Sequence, residues 1–124
     1  MRPYLFVMTY QGLGGTLSDT AMQFSQIFEI LHTMALIHDD IIDNSAQRHG
    51  VSTLHHHIAH QYPHKAHNIT EAQGILIGDL LLSWVYELLH SSWGFPHIAE
   101  GQKHIHTMIQ EVIMGQMIDV DLML

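Results

Sequence analysis

Apolar positions recur with a helical period along most of the chain, and the period-two runs that mark strands are poor. Pro3 suits a first helical turn, and the apolar stretch around it runs to about Tyr10. Gly12, Gly14 and Gly15 break that stretch. Ser18 or Asp19 then caps a second helix, whose apolar positions run from Met22 through Phe24, Ile27, Leu31 and Met34 to Ile37. They cover much of its circumference, which predicts a central, largely buried helix. Residues 44–52 read as a loop, and a short helix covers Thr53 to about His60. A second loop runs from Pro63 to Asn68, and Asn68 or Thr70 caps a long helix that ends near Ser91 and Ser92. Trp93 to Pro96 form a turn, and a last helix starts at His97 or Ile98 and runs to the end of the chain without a C-cap. No repeat or linker divides the 124 residues. The expectation is an all-α unit, residues 1–124, that is part of a larger helical domain.

Composition narrows the partners. Apolar residues make up 47% and charged residues 13%, enough apolar material for a core and too little charge for a disordered tail. Four Lys and Arg against twelve Asp and Glu argue against a nucleic-acid footprint. Any anionic ligand must therefore use those few cations or a metal. The absence of cysteine removes disulfides, thiolate zinc sites and Cys nucleophiles. No unbroken apolar run reaches the ~18–20 residues of a membrane helix, because Asp79 and Glu87 interrupt the best candidate, Ile75 to Leu89. With no signal peptide visible at the start, the expectation is a cytoplasmic protein without a membrane span.

The sharpest chemistry is the run His38-Asp39-Asp40-Ile41-Ile42-Asp43. Asp39 and Asp43 lie four apart, so on a helix they differ by only ~40° and share a face. Two same-side carboxylates on an inward face repel and need a compensating cation. Carboxylate oxygens without a nearby thiolate suit Mg²⁺, which commonly bridges one or two protein carboxylates to substrate phosphates. Arg48, one of two arginines in the chain, follows closely and can bind diphosphate oxygens in a bidentate manner. Gly78 permits close approach of two helices, and Asp79, a lone acid among apolar neighbours, reads as a helix–helix hydrogen bond more than as catalysis. His55, His56, His57, His60, His64 and His67 crowd one segment and read as a titrating loop, with a metal site as the alternative.

Four segments together carry a family resemblance. Glu29 to Asp43 resembles the first aspartate-rich region of trans-isoprenyl diphosphate synthases, the polyprenyl synthetase family. Arg48 to His55 is similar to the family's Arg-Arg-Gly segment and the histidine after it. Ile75 to Leu82 resembles its Gly-Asp helix motif, and Glu111 to Asp119 its Gly-Gln-x-x-x-Asp segment. The resemblance implies an isoprenoid synthase type helical bundle, truncated to about its first half. It implies a Mg²⁺-dependent prenyltransferase that condenses isopentenyl diphosphate with an allylic diphosphate, and homodimers in the full-length protein. By position, Asp39 and Asp43 match metal ligands and Asp40 a residue behind them. Arg48 matches the arginine that holds the allylic diphosphate. Arg2 and His32 match residues that bind isopentenyl diphosphate, and Gln116 and Asp119 match positions beside the metal cluster. The product tail is expected to pass Met34 and Ala35, where the absence of an aromatic ring suggests a product of C20 or longer.

The chain also departs from the family pattern. His49 replaces the second arginine, leaving a weaker, titrating anion partner at a substrate-binding position. The lysine of the family's Gly-Lys-x-x-Arg segment would fall ahead of Met1, and the second aspartate-rich motif does not occur in these residues. The 124 residues alone are therefore expected to be inactive or very weak. The competing readings are a non-catalytic subunit or fragment of such a synthase and a His-rich metal-binding helical protein.

Overall fold

Ser18 has extended backbone, and its Oγ accepts from the Ala21 amide at 3.1 Å, which starts the central helix as expected. The computed structural model describes residues 1–123. In chain order these form α1 (Arg2–Gly12), α2 (Asp19–Ile42), β1 (Gln47–Arg48), β2 (Val51–Ser52), α3 (Leu54–Gln61), α4 (His67–Ser91) and α5 (Ile98–Leu122). The expected end of the last helix at Leu124 lies outside the described residues. The all-α class holds, with one small exception. The segment expected as a loop contains a two-stranded antiparallel hairpin, pairing Gln47 with Ser52 and Arg48 with Val51. Strands of two residues are too short to show a period in the sequence.

Helix α2 is the hub. Its Ala21, Phe24, Ile27, Leu31 and Met34, spaced by three or four, are buried. Phe24, Ile27, Leu31 and Met34 meet Val85 and Leu89 of α4 and Ile105 and Ile109 of α5 in one core. An aromatic group fastens α1 and the turn before α5 to it: Phe6 lies 5.3 Å from Phe24 and 5.5 Å from Phe28, and Phe95 lies 5.3 Å from Phe24. Helices α2 and α4 run close because Gly74 and Gly78 carry no side chain. A Cβ at Gly74 would sit 2.6 Å from Ile41 Cδ1, and one at Gly78 would collide with the His38 ring.

Three local expectations change. Helix α4 starts at His67 behind Ala66, without a side-chain cap, and Thr70 Oγ1 instead donates to the His67 carbonyl at 2.7 Å. Asp79 is exposed and lies 3.8 Å from His38 Nε2; the hydrogen bond across this contact runs from His38 Nε2 to the Ile75 carbonyl at 3.1 Å. Averaged over its best stretch, α4 has a mean hydropathy of 1.3 and is long and apolar enough to cross a membrane. Asp79 and Glu87 interrupt the apolar run without removing the apolar character of the helix as a whole. Thr70, Gly74, Gly78, Val85 and Leu89 of this helix are nevertheless buried.

Candidate functional site

The site forms where α2 ends. Asn44, at φ 52°, turns the chain in the left-handed region, and the Ser45 amide donates back to the Asp40 carbonyl at 2.8 Å. Buried Thr53 ties the returning strand down: its Oγ1 donates to the Ser45 carbonyl at 2.7 Å and its amide to Ala46 at 3.1 Å. These bonds fold the hairpin over the helix end and bring Arg48 onto the acidic cluster. Arg48 Nε donates to Asp40 Oδ1 at 2.8 Å, and Nη2 reaches Asp40 Oδ1 at 2.7 Å and Asp39 Oδ2 at 2.9 Å. From α5, Gln116 Nε2 donates to the other oxygen of Asp39, Oδ1, at 3.1 Å. The hydrogen bond to Asp40 above all raises the pKa of Arg48 from its ordinary value, against the opposing effect of desolvation.

The three acids are not equivalent. Asp40 is the buried one, at 6% exposure, and its charge is met by Arg48. Asp39 keeps a third of its side chain exposed and lines a cavity. Asp43 caps the helix at its C-terminal end and is exposed, so the shared face expected for Asp39 and Asp43 lies at the rim and not in the core.

Two cavities run along the groove between α2 and α5. One, of about 590 Å³, is closed on its far side by α1 and is lined by Arg2, Phe6, Phe28, Leu31 and His32. The other, of about 410 Å³, holds His38, Asp39, Gln116 and Asp121. Met34, Ala35, Val112 and Ile113 line both, so the two adjoin along a shared apolar wall. Arg2 and His32 thus stand at one end of the groove and Asp39 and Gln116 at the other. His49 sits in the hairpin turn at φ 51°, exposed, and Asp119 is exposed outside both cavities. Burial, then the charge of Arg2, lowers the pKa of His32, while Glu29 pulls the other way.

Sequence reasoning missed Glu29 as a partner, although it stands three residues before His32. Glu29 Oε1 lies 3.9 Å from Arg2 Nη1, and its buried Oε2 has no hydrogen-bond partner. Asp121, two residues past the anticipated Asp119, was also missed, because a helix face on α5 was assigned by motif and not by packing.

The donor set bears on a metal. Among the described residues no group of three His, Asp or Glu side chains is placed to hold an ion by itself. Asp39 and Asp43 offer hard oxygen donors one turn apart. That count suits an ion such as Mg²⁺ that takes one or two carboxylates and completes its shell with water and phosphate oxygen. It does not suit a closed all-protein site, and the six-histidine segment forms none either.

The polyprenyl synthetase family pattern matches residues 1–123. The chain is 30% identical over 121 residues to a short chain isoprenyl diphosphate synthase of Methanocaldococcus jannaschii, covering 98% of this chain and 33% of that protein. It is 34% identical over 91 residues to a farnesyl diphosphate synthase of Micrococcus luteus, covering 72% of this chain and 27% of that protein. Against the large subunit 1 of a chloroplastic heterodimeric geranylgeranyl pyrophosphate synthase of Arabidopsis thaliana it is 36% identical over 94 residues, 74% of this chain and 22% of that protein. The chain spans between a fifth and a third of the length of these curated relatives. No solved structure matches it.

Proposed function

The chain belongs to the polyprenyl synthetase family, and from that premise we propose that it carries the allylic half of a trans-prenyl diphosphate synthase site, around the first aspartate-rich motif. The reaction is the condensation of isopentenyl diphosphate with an allylic diphosphate. The allylic C–O bond breaks with its electron pair leaving on diphosphate. The isopentenyl alkene attacks the resulting carbocation, and a proton is lost.

The observation that carries this reading is the groove from Arg2 and His32 to Asp39 and Gln116, polar at both ends and apolar between. Arg2, which lines the groove, and Arg48, held beside it by Asp39 and Asp40, are the arginines for the two diphosphates, and the wall of Met34, Ala35, Val112 and Ile113 accepts the hydrocarbon tail. Gln116 fixes the Asp39 carboxylate from the α5 side, so that its rotamer is set before ligand arrives. His49 and Asp119, both exposed, are assigned to substrate binding by their place in the family motifs. A divalent ion such as Mg²⁺, held by Asp39 and Asp43, would supply positive charge to the departing diphosphate. The apolar residues exposed on α4, Leu76, Leu80 and Trp84, support a homodimer interface in the whole protein. Substrates carrying several charges in water fit a cytoplasmic location.

Calorimetry with a non-hydrolysable allylic diphosphate tests the reading. Binding to the chain is expected with Mg²⁺ and is expected to fall at least ~100-fold with EDTA or in Asp39→Ala, a loss of ~3 kcal/mol. Equal binding in all three conditions would refute it. Prenyl transfer by the chain alone, and mixed with a full-length synthase, separates a catalytic part from one that serves assembly.

A further inference from the structure

Helix α3 is eight residues long, and its one buried side chain is His55, at 1% exposure. Both ring nitrogens of His55 are buried and have no hydrogen-bond partner. An imidazole with one N–H and one lone pair unmatched is costly to bury, and an imidazolium there would be costlier still. The neighbours do not relieve it. His56 on the same helix lies 4.6 Å away between ring centroids, and His67 on α4 lies 6.3 Å away. Those two rings stand 6.0 Å apart, and His67 Nε2 lies 3.1 Å from Glu71 Oε1, so the nearest carboxylate is already engaged. The charged and titratable groups facing His55 are thus His56 on α3, His67 and Glu71 on α4, and Asp40 on α2. Burial is the largest influence on its basicity, lowering it, and the two histidines add to burial while the two acids oppose it.

The helix is coupled to the site. Thr53, which precedes α3 as its N-cap, is the residue whose hydroxyl and amide hold Ser45 and Ala46, the two residues that lead into β1. Those bonds keep the hairpin, and with it Arg48, against Asp39 and Asp40.

We propose that α3 is an acid-released latch: protonation of buried His55 undocks α3 from α4 and loosens the hairpin that carries Arg48. The proposal stands apart from the prenyl-transfer reading, since it needs no ligand and no turnover. The sign follows from linkage. A docked His55 takes up a proton less readily than a free one, so docking is undiminished above about pH 6.5 and weakens below it, by up to about tenfold per pH unit.

Amide hydrogen exchange by NMR on the whole chain, corrected for intrinsic rates, tests this between about pH 7.5 and 5. Protection of residues 54–61 and of Arg48 is expected to fall at least ~10-fold toward the acid end, while Ile27 and Val85 hold theirs. His55→Leu, with an unchanged far-ultraviolet spectrum, is expected to keep α3 protected at both ends. Equal protection of 54–61 across the range in the unmodified chain would overturn the proposal. So would the same acid opening in His55→Leu. Should that variant fail to fold, the His55 ring signal of the unmodified chain decides: titration at the ordinary histidine value with α3 still protected would refute the latch.

Discussion

A single guanidinium organises the acidic cluster. Arg48 meets Asp40 with two of its nitrogens and Asp39 with one, in a forked geometry that lysine cannot reproduce. Asp40 needs that partner because it is buried, whereas Asp43 at the helix end is solvated. The acids should therefore divide into one that holds the structure and others that serve ligands. Asp40→Ala removes the buried carboxylate and two of the three contacts of Arg48, leaving only the one to Asp39, so it is expected to lower Tm by about 5 °C or more. Asp43→Ala should shift Tm by less than about 2 °C and act instead on Mg²⁺-dependent ligand binding. Thermal melts of the two variants side by side check this. A larger loss of Tm in Asp43→Ala than in Asp40→Ala would reverse the assignment.

Among the elements, legibility tracked the source of each signal. Helices α2 and α5 were readable because Ser18 is an ordinary cap and because apolar spacing persists for 24 and 25 residues. The start of α4 was misplaced, since Asn68 and Thr70 look like caps and the helix begins behind Ala66, which caps nothing. The hairpin was invisible for another reason: its order comes from Thr53 and from the Arg48 pairing, contacts formed only in the folded chain. The site shows the same division. Asp39 was picked out by its spacing, Arg48 by its scarcity beside the acids and Gln116 by the family resemblance, and the three meet in space, while the burial of Asp40 depends on packing that no period encodes. The hairpin turn carries His49 and Gly50 at φ 51° and 79°, the two positive values of a type I′ turn, where Asn-Gly is favoured and histidine is strained. His49→Asn is accordingly expected to stabilise the chain by about 0.5 kcal/mol. A rise in the urea midpoint with unchanged slope is the readout, and a fall would show that the His49 side chain makes a contact worth more than the backbone strain.

At the scale of the whole molecule, α2 does two jobs with opposite faces. One face packs on α4 through Gly74 and Gly78, and the other fronts the groove shared with α1 and α5. Rigid packing on the first side holds the second side open. Met34 and Ala35 stand where the two cavities adjoin, one helical turn before Asp39, so a side chain there decides whether a tail at the acidic end can extend toward Arg2 and His32. Ala35→Phe places a ring in that junction and leaves the acidic cluster in place. A short allylic diphosphate analogue occupies only the Asp39 end and is expected to keep its affinity. A twenty-carbon analogue must pass the junction, and each methylene shut out of apolar surroundings forfeits about 0.8 kcal/mol. Two or three excluded methylenes suffice for a loss of at least ~10-fold. Calorimetry of both analogues with Mg²⁺, on the unmodified chain and on Ala35→Phe, measures the difference. A parallel loss for both lengths would mean that the ring disturbs Asp39 itself. No loss for either would mean that the tail leaves the groove before reaching Ala35, so that the larger cavity serves another part of the substrate.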